Sequence, residues 1–340
     1  MRWRARFPSP KLLTENLGLG ASTYQMPTSE GNFDKRWHLL VAGFFLISMA
    51  CGPAAATAPH PSPSAVEDCR GATETGPYPP SAQPSVTYES MTVDSKLRDY
   101  RLFRPVSVDT AKAVAVVLLM PPPSADAEAL ESLIHFDSEA SVGGFLAVTL
   151  NGCDANWPYV QGGSKAADED FIRRVITQLK TEFQVSNVYV VSASGGSRIA
   201  YRLACDLAGE ITAIADVAGT MVLKDDCVPA RPVSILQMHG TADPDSPYEG
   251  GGPHGSYPVE AVNQRWLTLD GCVGDPNVTN AGITVSSIWA RCSGGAVVKL
   301  ERVVGGKHTW FGSSDGDAVP GEPDANSVIW EFFRSLQPRA

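Results

Sequence analysis

The clearest signal in the chain is an alternation of short apolar runs with amphipathic stretches, between about residues 86 and 336. The runs AVAVVLL at 113–119 and FLAVTL at 145–150 predict buried strands because they are apolar without interruption. The stretch 168–183 repeats its apolar residues at helical spacing, which predicts an amphipathic helix. These two kinds of element, alternating along the chain, indicate a domain of the α/β class.

The same patterns predict the remaining elements of this domain. Strands are predicted at 86–93 and 99–105, both as edge strands, and then at 187–193, 212–219, 233–240, 283–290 and 297–304. Helices are predicted at 127–139, 196–207, 256–269 and 324–336. Apolar strands joined by helices imply a mostly parallel central sheet with helices on both faces.

The first 85 residues do not follow this pattern. Trp37–Ala50 is mostly apolar, follows two basic residues, and as a helix would rise about 21 Å, less than the roughly 30 Å of a bilayer core. A basic flank before a short apolar run is typical of an export signal. We therefore assign 1–50 to a signal segment, with Met26 as a candidate initiator. Residues 51–85 form a Pro/Ala/Ser-rich tether and lead-in, and 86–340 form the α/β domain.

Two interpretations of the processing of this signal remain open. Cys51-Gly52 resembles the modified cysteine of bacterial lipoproteins, so that a lipid on Cys51 would attach the protein to a membrane, although Ser48 replaces the usual aliphatic residue. The alternative is cleavage near residues 54–56. Both predict a protein that is secreted or held at the extracytoplasmic surface.

Cysteine content and charge narrow the classes of partner and cofactor. An even number of cysteines in an oxidising compartment predicts disulfides, and beyond the signal the chain has Cys69, Cys153, Cys205, Cys227, Cys272 and Cys292. No Cys-x-x-Cys motif and no His/Cys cluster has metal-ligand spacing, so we expect no metal ion. The net charge of −10, without a Lys/Arg-rich run, argues against a nucleic-acid partner.

Candidate chemistry lies where the predicted strand 187–193 turns into a helix. Ser192-Ala193-Ser194-Gly195-Gly196 approximates the G-x-S-x-G nucleophile elbow, which needs small residues because strand and helix pass close together. Ser192 replaces the first glycine. A plain serine N-cap is the alternative for Ser194, but the strand–turn–helix context favours a nucleophile.

An acid and a histidine follow Ser194 in the order that α/β-hydrolases use. Asp243 comes just after the strand 233–240, and His308 lies in a glycine loop before the last helix. In this scheme Ser194 attacks a carbonyl, His308 takes its proton and Asp243 orients the imidazole. Asp245 is the rival acid. The other histidines are expected to be structural, in the case of His239, or on the surface, in the case of His135 and His254.

Seven segments, taken in order, resemble the family of secreted α/β-hydrolases that includes polyhydroxybutyrate depolymerases and feruloyl esterases. They are YRLFRP (100–105), SASGGSRIAYRLAC (192–205), VAGTM (217–221), CVPARPV (227–233), HGTADPDSPYEGG (239–251), GGKHTWFG (305–312) and IWEFF (329–333). The resemblance implies an α/β-hydrolase fold, ester hydrolysis without a cofactor and the same Ser194–Asp243–His308 triad. It also implies bridges Cys205–Cys227 and Cys272–Cys292, which leave Cys69 and Cys153 as a third pair.

The chain departs from this family at the oxyanion hole. The family usually has His-Gly after the first buried strand, whereas here Pro121–Pro123 precede Ser124, and proline has no N–H to donate. Gly195 N–H supplies one donor. The second donor is then expected from the backbone N–H or hydroxyl of Ser124, and Met120 N–H is the alternative.

The expected substrate is a small or oligomeric ester of the hydroxyalkanoate type. An esterase acting on feruloyl or acetyl groups of plant-wall polysaccharide is the alternative, and a degenerate, non-catalytic hydrolase that binds ligands at the cell surface is the hypothesis from another class. Trp157, Tyr248 and Trp310 are candidates for the substrate site or, equally, for the core.

Overall fold

The computed structural model describes residues 66–73, 76–77, 85–153, 156–157, 165–222, 226–314 and 317–336. The predicted signal segment, including Met26, Cys51 and the tether up to residue 65, lies outside the described residues. No helix within the described ranges is long and apolar enough to cross a membrane.

The described strands form one large sheet and a separate two-stranded ribbon. They are β1 (Glu67–Asp68), β2 (Ala72–Thr73), β3 (Gly76–Pro77), β4 (Val86–Val93), β5 (Lys96–Phe103), β6 (Val114–Met120), β7 (Leu146–Leu150), β8 (Val185–Ala193), β9 (Ile211–Val217), β10 (Ser234–Gly240), β11 (Asn277–Ala281), β12 (Thr284–Trp289) and β13 (Val298–Val303). The sheet order is β1-β5-β7-β6-β8-β9-β10-β13-β12-β11, β4 pairs with β5, and β2 pairs with β3.

The sheet is parallel in its centre, and antiparallel ladders flank this centre on both sides. Strands β7, β6, β8, β9, β10 and β13 pair in parallel, whereas β4, β5, β11 and β12 join through antiparallel ladders. Because parallel neighbours all point the same way, the carboxyl ends of β6, β8, β9 and β10 meet at one edge. Any residues that follow those strands are therefore brought together there.

Helices cover both faces of the sheet, as the apolar strands require. They are α1 (Ala127–Ile134), α2 (Phe136–Gly143), α3 (Lys165–Glu182), α4 (Ser197–Asp206), α5 (Val259–Leu269) and α6 (Ala325–Ser335). Side chains of α3, α4 and α5 enter one buried cluster, and those of α1, α2 and α6 enter the cluster on the other face. The predicted mostly parallel sheet with helices on both faces is confirmed.

Two local predictions differ from the structure, and the strand β11 was not predicted. The helix predicted at 127–139 is two helices, because His135 adopts a left-handed backbone (φ 51°) between α1 and α2. The segment predicted as an edge strand at 99–105 begins earlier, at Lys96, and is interior, since β5 pairs with β4 on one side and β7 on the other. The polar strand β11 carries no apolar signal, and its five residues are all exposed.

The six described cysteines pair as three disulfides: Cys69–Cys153, Cys205–Cys227 and Cys272–Cys292. These are the pairings that the family resemblance implied, including the third pair left over by it. The last two close loops with sequence separations of 22 and 20 residues, for which chain entropy alone assigns about 3 kcal/mol each. Disulfides of this kind persist in oxidising compartments outside the cytoplasm.

Candidate active site

Ser194 lies at the sharp turn between β8 and α4, in a left-handed backbone conformation with φ 50°. A non-glycine residue at positive φ is strained, and such strain is typical of nucleophile elbows. A Cβ on Gly196 would lie 2.4 Å from the Met120 carbonyl oxygen, so this position needs glycine for the close passage past β6. Ser197 Oγ donates to the Ser194 carbonyl at 2.6 Å and accepts from Thr220 N–H at 3.0 Å, which fixes the turn.

Ser194, His308 and Asp243 form a continuous hydrogen-bonded chain. His308 Nε2 lies 2.8 Å from Ser194 Oγ, and His308 Nδ1 lies 2.8 Å from Asp243 Oδ2. Because an ionised carboxylate only accepts, Nδ1 carries the proton and Nε2 presents a lone pair to the serine hydroxyl. The three side chains come from loops after β8, β10 and β13, which converge at the same sheet edge.

The Asp243 carboxylate is buried and heavily hydrogen-bonded. Its Oδ1 accepts from the backbone N–H groups of Asp245 at 2.9 Å and Ser246 at 2.7 Å. Burial acts to raise the pKa of Asp243, but hydrogen bonds from His239, His308 and Ser246 outweigh it and hold the pKa well below the usual range. Asp243 therefore stays ionised.

The pKa of His308 is raised above its ordinary value of 6.5. Burial lowers this pKa, but the hydrogen bond to Asp243 and the charges of Asp243, Asp245 and Asp216 outweigh it. A more basic imidazole accepts a proton from a serine hydroxyl more readily. It is also protonated, and unable to act as a base, up to a higher pH.

Asp245, the rival acid, is exposed and contributes only its backbone N–H to Asp243. His239 is fully buried, as a structural histidine would be. Its Nε2 lies 2.7 Å from the Ser246 carbonyl and 3.3 Å from Asp243 Oδ2. Since that carbonyl can only accept, Nε2 carries the proton and points at both oxygens. The sequence did not predict this direct contribution of His239 to the acid.

The loop after β6 lies opposite the elbow. Pro122, Pro123 and Ser124 border the same cavity as Ser194 and Gly195. A Cβ on Gly195 would lie 2.6 Å from Pro123 Cδ, so the two segments are in close contact. Ser124 has φ 67° and is exposed, and its N–H meets no acceptor among the described residues.

The cavity at the triad has a volume of about 660 Å³, within the range of about 300–1,000 Å³ for small-molecule sites. Most of its described lining residues have polar side chains; they are Pro122, Pro123, Ser124, Asn156, Ser194, Gly195, Ser197, Arg198, Thr220, Asp245, Ser246, His254, Ser256 and His308. His254 is exposed, as predicted, yet lies at this cavity. Arg198 and the polar residues around it are lining residues that sequence reasoning missed, because only the fold brings them to Ser194.

The three aromatic candidates for the substrate site are all in the core instead. Trp157, Tyr248 and Trp310 are at most 7% exposed, and none of them lines the cavity. Trp157 Nε1 donates to the Pro121 carbonyl at 3.0 Å, so it supports the proline loop from behind. Their large apolar surfaces are used in packing, which is the alternative that the sequence left open.

Ser192, the departure from the elbow motif, has a partner that the sequence did not reveal. Its Oγ donates to Asp216 Oδ1 at 2.9 Å, between paired positions of β8 and β9. Asp216 is fully buried, and burial raises its pKa to about 7 despite that hydrogen bond. A glycine at 192 would leave this carboxylate without its described hydrogen bond.

One group of possible metal ligands occurs among the described residues: Glu67, Cys69 and Cys153. The two cysteines are joined in a disulfide and offer no thiolate. This group does not fit a metal ion, because zinc and similar ions bind cysteine as the thiolate.

Comparison with known proteins places the chain among esterase relatives. No protein-family model matches it. It is 27% identical over 223 residues to "Putative esterase NocK" of Nocardia uniformis subsp. tsuyamanensis, covering 62% of this chain and 65% of that protein. It is 28% identical over 184 residues to feruloyl esterase B of Piromyces equi, covering 50% of this chain and 32% of that protein. It is 26% identical over 216 residues to "Probable feruloyl esterase C" of Aspergillus oryzae, covering 61% and 70%.

These relatives confirm the predicted resemblance to feruloyl esterase-like proteins. The matches span less than two thirds of NocK and about a third of the Piromyces equi protein.

Solved structures agree on the fold. The acetyl xylan esterase from Aspergillus awamori matches with a TM-score of 0.52 at 10% identity, covering 73% of this chain and 99% of that one. A dienelactone hydrolase-like promiscuous phosphotriesterase from metagenomic libraries matches with a TM-score of 0.50 at 14% identity, covering 74% and 99%. At these identities the similarity shows the fold alone, and that fold is the predicted α/β-hydrolase fold.

Proposed function

We propose that the protein is a carboxylic ester hydrolase that acts outside the cytoplasm on small or oligomeric esters, with Ser194 as nucleophile. The observation that carries this proposal is the 2.8 Å contact between Ser194 Oγ and His308 Nε2, on an imidazole whose other nitrogen is bound by Asp243. A strained elbow, an oriented base and an ionised acid are the parts that acyl transfer to serine needs. The esterase names of the sequence relatives support the same reaction.

The reaction follows from these positions. Ser194 Oγ attacks the ester carbonyl while His308 Nε2 takes its proton, and Asp243 stabilises the imidazolium that forms. The tetrahedral intermediate collapses to an acyl-serine as His308 passes the proton to the leaving alcohol. Water then attacks the acyl group by the same route, which releases the acid and restores the serine. The negative oxygen of each intermediate is held by Gly195 N–H and by the free N–H of Ser124.

The feruloyl or acetyl type of ester is the better-supported substrate, ahead of hydroxyalkanoate esters. Two of the reported relatives carry feruloyl esterase names. The hydroxyls and amide of the cavity lining suit a hydroxyl-bearing sugar on the alcohol side. The pyrrolidine rings of Pro122 and Pro123 offer an apolar surface on which an aromatic acyl group can pack.

The test is hydrolysis of p-nitrophenyl acetate and methyl ferulate, together with labelling by a fluorophosphonate. Ser194→Ala is expected to abolish labelling and to lower kcat by at least about 10⁴-fold, because the members of such a unit act together. Ser141 is an exposed helical serine outside the cavity, so Ser141→Ala is the matched control and should keep both the labelling and the wild-type kcat. A folded wild-type protein that neither turns over an ester nor takes the label would instead be the non-catalytic binding protein.

The choice between substrate types needs a second pair of esters. Methyl ferulate and a methyl ester of a 3-hydroxybutyrate dimer, compared by kcat/KM, separate the two, and the former is expected to be preferred. A preference for the dimer would restore the hydroxyalkanoate assignment while leaving ester hydrolysis intact.

A further inference from the structure

Arg198 is a half-buried cation in the wall of the cavity that contains Ser194. It follows Ser194 by four residues, at the second position of α4, so about one helical turn separates it from the nucleophile. Its guanidinium therefore lies beside the space that a bound ester occupies. The reaction as described above makes no use of this charge.

The guanidinium of Arg198 has no carboxylate partner among the described residues. Its Nη2 donates to the His254 carbonyl at 3.0 Å, and its other N–H groups meet no described acceptor. Two other arginines behave differently: Arg202, on the same helix, pairs with Asp206, and the buried Arg98, on β5, pairs with Asp168 at 2.9 Å. An arginine has five N–H donors, so most of those on Arg198 are available to a ligand.

The surroundings of Arg198 favour an anion. It lies in the first turn of α4, where the helix dipole adds positive potential. Thr220 and Ser256, also in the wall, add neutral hydrogen-bonding groups. Asp245 is the carboxylate that also lines the cavity, but it is exposed and makes no ion pair with Arg198, so solvent screens its charge.

The bond to His254 orients the guanidinium. His254 belongs to the glycine-rich loop 249–256, which is closed on itself by mutual backbone hydrogen bonds between Gly251 and Ser256 of 2.7 and 2.8 Å. Arg198 ties this loop to α4, and in return its planar head is held at the cavity wall. A guanidinium fixed in this way presents paired donors that match the two oxygens of a carboxylate.

We propose that Arg198 forms an anion subsite that selects esters bearing a carboxylate a few bonds from the scissile carbonyl. The inference rests on the proposed ester hydrolysis and specifies its substrate class. The carboxylate can belong to the acyl group, as in a dicarboxylic half-ester, or to the alcohol. The chemistry recognised is the same in both.

The experiment compares charged and neutral esters of matched shape. Monoethyl glutarate against diethyl glutarate places the charge on the acyl side, and 4-acetoxybenzoate against methyl 4-acetoxybenzoate places it on the alcohol side. In the wild type at least one pair should show a higher kcat/KM for the charged ester, and the pair that does identifies the side. In Arg198→Met the ratio of charged to neutral kcat/KM should fall about tenfold, since a charge-assisted hydrogen bond is lost. Arg198→Lys keeps the positive charge but not the paired N–H donors, so its ratio should lie between those of the wild type and Arg198→Met.

Two further readouts separate a subsite from a structural role. Arg174→Met, at an exposed arginine on α3, is the control and should leave the ratio unchanged. Added salt should reduce the ratio in the wild type and not in Arg198→Met. An equal loss on charged and neutral esters would overturn the proposal, because Arg198 would then only hold the loop. Equal use of both esters by the wild type would also overturn it.

Failure of the subsite is distinguishable from failure of the proposed function. Hydrolysis of the neutral esters, with fluorophosphonate labelling of Ser194, would show that the esterase exists whatever Arg198 does. Binding to Ser194→Ala of the charged ester that the wild type prefers, monoethyl glutarate or 4-acetoxybenzoate, is measured by calorimetry and should be weakened about tenfold by adding Arg198→Met. Unchanged binding in that double variant would overturn the subsite without bearing on catalysis.

Discussion

Asp216 and Asp243 are buried carboxylates at the ends of neighbouring strands, but their hydrogen-bonding surroundings differ. Asp243, just after β10, accepts bonds from two backbone N–H groups and one histidine, with a second histidine at 3.3 Å. Asp216, near the end of β9, accepts one bond from the Ser192 hydroxyl, and its Oδ2 has no partner. Both carboxylates are therefore buried, and they differ in the number of hydrogen bonds that they accept.

The consequence is that the two pKa values move apart. Burial alone raises the pKa of a carboxyl group, as it does for Asp216, which reaches about 7. At Asp243 the surrounding donors reverse that effect, and the pKa falls well below its usual range. Gln237 occupies the paired position beside Asp216 on β10, and its Oε1 also lacks a partner. A negative charge is therefore stable at Asp243, after β10, and costly at Asp216, on the neighbouring strand β9.

The largest expected effect is the loss of activity in Asp243→Asn. An asparagine amide can donate to His308 Nδ1, which favours the tautomer that cannot take the serine proton, and the loss in kcat should be about 10⁴-fold. Asp216→Asn is the matched control at the other acid, and its loss should remain below about tenfold because Asp216 touches no reacting group. Rates with p-nitrophenyl acetate and melting curves of both variants make the measurement. Comparable losses in two folded variants would show that the regions do not differ as described.

The next-largest effect is expected at Ser124, in the proline loop on the side of the cavity opposite Asp243. Because His308 and Asp243 are fully oriented, any slowness of the wild type should come from the proline loop. Ser124→Pro removes the free N–H and should have a kcat about 10²-fold below that of Ser124→Gly, which keeps the N–H and suits φ 67°. Melting temperatures identify damage to the loop itself. If the two variants have equal rates and equal stability, the oxyanion is held elsewhere.

A smaller effect is expected on stability at Asp216. The pKa of this carboxyl is about 7 in the folded state against an ordinary 3.8, so between these values the folded protein keeps a proton that the unfolded chain has lost. The free energy of unfolding contributed by Asp216 therefore falls as pH rises through this window. In Asp216→Asn that contribution is absent, and the melting temperature should decline less between pH 4 and pH 8 than in the wild type.

Ser192→Gly should change the pH dependence of stability due to Asp216 in the opposite direction. It removes the described donor to Asp216, so the pH-dependent loss of stability should become steeper than in the wild type. The curves of melting temperature against pH should then rank Ser192→Gly as steepest and Asp216→Asn as shallowest. Parallel curves for all three proteins would contradict the raised pKa of Asp216 and its dependence on the Ser192 hydroxyl.

The contrast between these regions also marks what the sequence predicts and what it does not. Apolar patterning located the central strands of the sheet and the helices on its faces, because burial acts on each segment separately, and it missed the exposed strand β11. The order Ser194, Asp243, His308 was visible because each follows a strand. The bond from Ser192 to Asp216 and the place of Arg198 depend on which strands become neighbours, and periodicity carries no such information. The break at His135 depends on a single backbone angle.

The smallest effect is expected at Asp245, the acid beside the triad. His308 must be neutral to accept the serine proton, so activity rises with pH through the pKa of His308, which lies above 6.5. The negative charge of Asp245 contributes to that increase, after the bond and the charge of Asp243. Asp245→Asn should therefore move the midpoint of kcat/KM against pH downward, and the shift should be small because solvent screens the charge of an exposed side chain. The plateau rate should change less than about threefold, since Asp243 keeps the backbone N–H of residue 245.

Exposed Asp109→Asn, far along the chain, is the control that should leave the midpoint in place. A larger rate loss for Asp245→Asn than for Asp243→Asn would exchange the roles of the two acids, and an upward shift of the midpoint would contradict the sign derived from its charge.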